Sequence, residues 1–63
     1  MSWNYRVVRT KFPDGEEEFG IHEMYYDSDA PTADPVPVVG ESINHLRWIL
    51  DRMREALDKP VIE

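Results

Sequence analysis

The chain has 63 residues, 41% of them hydrophobic, with seven Lys and Arg against thirteen Asp and Glu and no cysteine. That length fills one core and not two, so residues 1–63 are read as a single domain. The lack of cysteine excludes a disulfide staple, a thiolate metal site and a thiol nucleophile, which leaves oligomerisation as the ready route to extra stability. A net charge of -6 repels phosphate backbones and anionic head groups, disfavouring nucleic acid and membrane as partners. No apolar run reaches the roughly 18 residues of a membrane span. The start Met1-Ser2-Trp3-Asn4-Tyr5 lacks the charged and apolar regions of a signal peptide, so the expected compartment is the cytoplasm.

Residues 3–12 are rich in aromatic and β-branched side chains and run into Pro13-Asp14-Gly15, where Pro presets φ and Gly accepts a positive one. This predicts a strand and a turn. Val7 and Val8 are adjacent, which calls for a bulge or for cover on both faces. Residues 17–26 alternate, placing Phe19, Ile21 and Tyr25 on one face and His22, Met24 and Tyr26 on the other, as a second strand pairing back on the first.

Asp27-Ser28-Asp29-Ala30 reads as a second turn, followed over residues 31–35 by a short third strand whose prolines confine it to an edge. Residues 34–39 are too proline-rich for a helix and form an extended connector, and Gly40-Glu41 lets the chain turn. Ser42 is placed to cap a helix, and Ile43, Leu46, Ile49, Leu50, Met53 and Leu57 follow at three- and four-residue steps as one apolar stripe. Pro60 stops that helix after Lys59, and Val61 and Ile62 fold back onto the core edge or fray. The fold class expected is α+β: a two- or three-stranded antiparallel β-meander packed against one C-terminal α-helix.

No catalytic or metal constellation emerges from the spacing. His22 sits mid-strand, where a half-exposed histidine is the expectation, and His45 opens the helix with no second ligand in register. Asp27 and Asp29 begin like a calcium loop, but Thr32 and Val38 stand where its Gly and closing Glu belong. We therefore expect no cofactor. One feature resists a purely structural reading: Trp48 projects away from the apolar stripe, on the side shared with His45 and Arg52, and Trp and Arg dominate interface hot spots. One helix covers one face of a small sheet, which leaves Tyr26, Met24 and also Trp3 or Tyr5 for solvent or a partner. His45, Trp48, Arg52, Tyr26 and Met24 are thus the candidate residues for binding a protein partner or a second copy.

Tyr5-Arg6-Val7-Val8, Pro13-Asp14-Gly15, Gly20-Ile21-His22-Glu23-Met24-Tyr25-Tyr26-Asp27, Val39-Gly40-Glu41-Ser42, Leu46-Arg47-Trp48 and Lys59-Pro60-Val61 together resemble a family of small bacterial proteins. That resemblance implies the same architecture and brings no catalytic residue with it. The step from Gly40-Glu41-Ser42 into a helix ending near Glu55-Ala56-Leu57 is also similar to HicB-type antitoxins, which implies an acidic module that masks a basic toxin. The leading expectation is a protein-interaction domain and not an enzyme. An enzyme would use His22 and Glu23, and a nucleic-acid binder would gather Arg6, Arg9 and Lys11 beside an aromatic sheet face.

Overall fold

The computed structural model describes residues 2–63. Strands β1 (Trp3–Lys11) and β2 (Glu17–Tyr25) form an antiparallel hairpin, β3 (Ala30–Pro31) adds two residues to the far side of β2, and helix α1 (Ile43–Ala56) follows. The α+β class expected from patterning is therefore the one observed. The hairpin turn closes through Phe12 N–H to the Glu16 carbonyl at 2.9 Å and Gly15 N–H to the Phe12 carbonyl at 3.0 Å. The Asp14 carboxylate accepts the Glu16 N–H at 3.0 Å. Gly15 has φ 93°, a conformation that costs glycine little because it has no Cβ.

From Trp3 opposite Tyr25 to Lys11 opposite Glu17 the register is unbroken. There is no bulge, and the adjacent Val7 and Val8 are both buried, so both faces of β1 are shielded at its middle. The C-terminal tail supplies part of that cover: Ile62 N–H donates to the Val7 carbonyl at 2.9 Å and Arg9 N–H to the Ile62 carbonyl at 2.8 Å. The tail thus runs parallel along the outer edge of β1, held further by an ion pair between Arg9 and Glu63.

These bonds fix the direction of every other backbone group in the strand. Consecutive residues of a strand send their N–H and C=O to opposite edges, so the odd-numbered residues of β1 face outward and the even-numbered ones pair with β2. On β2 the Ile21 carbonyl accepts Val36 N–H at 2.9 Å and the Glu23 carbonyl accepts Thr32 N–H at 2.8 Å. The odd-numbered residues of β2 therefore face its own outer edge. The expected third strand over residues 31–35 shrinks to Ala30–Pro31, and beyond it the chain bonds to the β2 edge through the Thr32 and Val36 N–H groups.

Two expectations about β2 are corrected. Met24 is only 8% exposed and His22 only 4%, so neither lies on an open or half-open face, and Met24 is a core residue rather than a binding one. The connector after β3 crosses this face. The His22 Nδ1 lies 2.8 Å from the Thr32 carbonyl, and a Cβ on Gly20 would stand 3.1 Å from the Pro35 ring, so glycine is what lets the proline come so near. The opposite face carries the largely exposed Phe19.

Ser42 caps α1 as predicted, its Oγ accepting the His45 N–H at 3.0 Å. The helix ends at Ala56, earlier than Lys59, and residues 57–59 tighten into three-residue steps: Leu57, Asp58 and Lys59 donate to the carbonyls of Arg54, Glu55 and Ala56. The buried helical positions are Ile49, Met53 and Ala56, while Ile43, Leu50 and Leu57 are exposed. At 100° per residue this buried face lies about 60° around the helix from the centre of the predicted stripe. The rotation places Ala56, with no accessible surface, on the buried face, where a single methyl permits close packing. It also swings Trp48 toward β1. Among the described residues no helix is long and apolar enough to cross a membrane.

Candidate binding cleft

A cleft of about 330 Å³ opens between α1 and the first residues of β1, lined by Trp3, Asn4, Tyr5, Trp48, Arg52, Glu55 and Lys59. The helical members recur every three, four or seven residues, so they share one side of α1. Trp48 is 48% exposed and Trp3 is 40% exposed. The Arg52 guanidinium lies 5.2 Å from the centre of the Trp48 ring, within range of a cation–π contact. Glu55 pairs with Arg52 at 3.6 Å. His45 lies 6.3 Å from the Trp48 ring, with its Nδ1 accepting the Glu41 N–H at 3.0 Å.

The sheet wall is equally ordered. Trp3 meets Tyr5 edge to face with centroids 5.2 Å apart and leans on Tyr25 at 6.4 Å. Tyr26 lies outside the cleft but fixes its floor: its hydroxyl donates to Asn4 Oδ1 at 2.9 Å and accepts from Arg6 at 3.0 Å. Arg6 in turn donates to the Pro60 carbonyl at 2.6 Å, which anchors the start of the tail.

Of the residues singled out from sequence, Trp48 and Arg52 line the cleft, His45 flanks it, Tyr26 positions Asn4, and Met24 is buried away from it. Trp3, Asn4, Tyr5 and Lys59 complete the walls. Lys59 sits seven residues after Arg52, a helical repeat that would have pointed to it. Asn4 carried no such signal, since its role depends on β1 being the edge strand.

The outward backbone groups of Trp3 and Tyr5 form the rim. By the alternation set out above they face away from β2, and among the described residues they make no backbone hydrogen bond, because the tail engages the edge only at Val7 and Arg9. Among the described residues no three His, Asp or Glu side chains converge as a metal site.

The cleft's aromatic wall also shapes its titration. Burial, then the nearby Glu23 charge, pushes the Tyr5 phenol above its usual value. The hydrogen bond from Tyr25 to Glu23 does the same for Tyr25, aided by burial and by charge. The folded chain therefore holds both phenolic protons more tightly than the unfolded chain. That contribution to stability is complete below about pH 10 and disappears as pH rises through the folded-state values. In an alkaline absorbance titration, Glu23→Gln should bring both tyrosines back toward ordinary behaviour, and an unchanged titration curve would refute the assignment.

No protein-family model, curated protein or solved structure matches the chain.

Proposed function

We infer that this chain is a small protein-interaction domain whose contact surface is the cleft between α1 and the open edge of β1. The observation that carries this reading is the juxtaposition of half-exposed Trp48, stacked on Arg52, with Trp3 and a stretch of strand edge whose hydrogen-bonding groups are unused. Aromatic side chains and arginine supply most interface energy. An unpaired strand edge supplies main-chain hydrogen bonds to an added peptide.

The total surface supports the same reading. The chain exposes 4851 Å², against about 4,200 Å² for a compact monomer of its 7.4 kDa mass on the usual scaling. The excess approaches the roughly 800 Å² that each partner contributes to a standard interface. Local charge sets the preferred ligand. In a chain of net charge -6 the cleft carries Arg52 and Lys59 against Glu55, which favours an acidic extended segment at this surface over a basic one. An antitoxin-like role would instead use the acidic surface elsewhere on the molecule, and it rests on likeness and overall charge alone.

Both tryptophans of the chain line the cleft, so their emission reports its occupancy directly. In a titration with extended peptides of acidic, neutral and basic composition, acidic members should shift the emission saturably. Trp48→Ala and Arg52→Ala, each checked for an unchanged fold by circular dichroism, should lose that binding. A panel in which no peptide binds would overturn the reading.

A further inference from the structure

The sheet has a second open edge, and its chemistry is the opposite of the first. On β2 the odd-numbered residues face outward, yet the outer-edge bonds to Val36, Thr32 and β3 begin only at Ile21. The edge at Glu17 and Phe19 is left without a backbone partner among the described residues. Both side chains are exposed, as is Glu18 between them. One edge thus offers Trp3 and Tyr5 beside Arg52 and Lys59, while the other offers two carboxylates and a phenylalanine.

We propose that the β1 edge and its cleft receive the Glu17–Phe19 edge of a second copy of this chain, so that copies join head to tail into a continuous antiparallel sheet. The proposal rests on the cleft being the contact surface, and it names the occupant. Three features converge on a second copy. The two open segments lie on opposite edges of the sheet, and Trp3 and Phe19 are set apart along the strands by the six residue steps from Trp3 to Arg9, the partner of Phe19, about 20 Å at 3.3 Å per residue, so a chain cannot close on itself. Because β1 and β2 are antiparallel, copies in the same orientation place β1 beside an antiparallel β2, with outward groups facing outward groups. In the register that sets Trp3 opposite the second copy's Phe19, its Glu17 falls opposite Tyr5 and its Glu18 opposite Asn4. The aromatic rings then share one face with Glu17, as cross-strand pairs require, while Glu18 points to the other face, so each carboxylate is set beside a residue that lines the cleft, Tyr5 or Asn4.

The tail shows that this edge accepts an added strand, since Ile62 already pairs with Val7 and Arg9. Pro60, which lacks an N–H, begins that tail and leaves the Trp3 and Tyr5 groups for another chain. Such a joint uses two different surfaces, so it propagates or closes into a ring instead of stopping at a symmetric dimer.

The test is sedimentation of the whole chain from micromolar to millimolar concentration. Wild type should show a weight-average mass that climbs beyond twice the monomer. Glu17→Pro removes an outward N–H with no intramolecular partner, and should leave the circular dichroism spectrum unchanged while holding the mass at the monomer. Arg52→Glu should do the same from the other surface. Mixed together, the two variants retain one intact acidic edge and one intact cleft, and should form a 1:1 pair that grows no further. A wild type that stays monomeric throughout, association that survives Glu17→Pro, or variants that fail to pair on mixing would each overturn the proposal. Should acidic peptides still bind the cleft in that case, the interaction reading stands and its partner is another protein.

Discussion

Met53→Ala is expected to cost 2–5 kcal/mol, the usual range for truncating a buried long side chain, and so to remove much of the stability of this domain. At roughly 0.05–0.15 kcal/mol per residue a chain of this length has about 3–9 kcal/mol in total. Met53 is the middle member of the three buried helical residues Ile49, Met53 and Ala56, and its truncation opens a cavity under α1. Leu57→Ala is the matched comparison. Leu57 belongs to the apolar stripe read from spacing, yet it is 67% exposed, so its truncation should fall within about 0.5 kcal/mol of wild type. Urea unfolding of the two variants decides between the buried face observed and the one that spacing alone suggests. Equal costs, or a larger cost at Leu57, would show that the helix is not seated as described.

Ala56→Leu should destabilise by about 1–3 kcal/mol through overpacking, an effect of roughly 4–8 °C in Tm per kcal/mol for a domain of this size. The reason is position. Ala56 has no accessible surface, on the helix face that packs toward β1 with Ile49 and Met53, so a larger side chain must displace what surrounds it. Leucine favours helix nearly as well as alanine, so intrinsic propensity does not account for such a loss. The displacement has a second readout, because Glu55 and Lys59 on either side of Ala56 line the cleft. Tryptophan emission should therefore move together with the melting temperature. An Ala56→Leu variant as stable as wild type would mean that the contact is looser than the burial implies.

The sequence by itself determined the elements whose causes are local. Pro13-Asp14-Gly15 specifies a turn through fixed φ, a side-chain acceptor and a residue free to take positive φ, and Ser42 specifies a helix start through its hydroxyl; both are where expected. Alternation over residues 17–26 specified a strand, observed over 17–25, and the three- and four-residue steps beyond Ser42 specified a helix. The prominence of Trp48 beside Arg52 was also legible, because both follow from helical geometry alone.

Only the tertiary structure decided which faces are buried. Both faces of β2 carry apolar residues, so patterning could not choose between Phe19 with Ile21 and His22 with Met24; the choice was made by the connector, which lays Pro35 over Gly20 and Thr32 against His22. The helix likewise had more apolar positions than one contact can cover. Hydrophobicity counts Ile43, Leu50 and Leu57 above Ala56, but close packing rewards the small residue on the buried face, and that preference turns α1 about its axis. The cleft inherits both decisions. Its rim exists because β1 is an edge strand that the tail covers only in part, a consequence of strand order and of where Pro60 ends the turn, and neither can be read from residues taken one segment at a time.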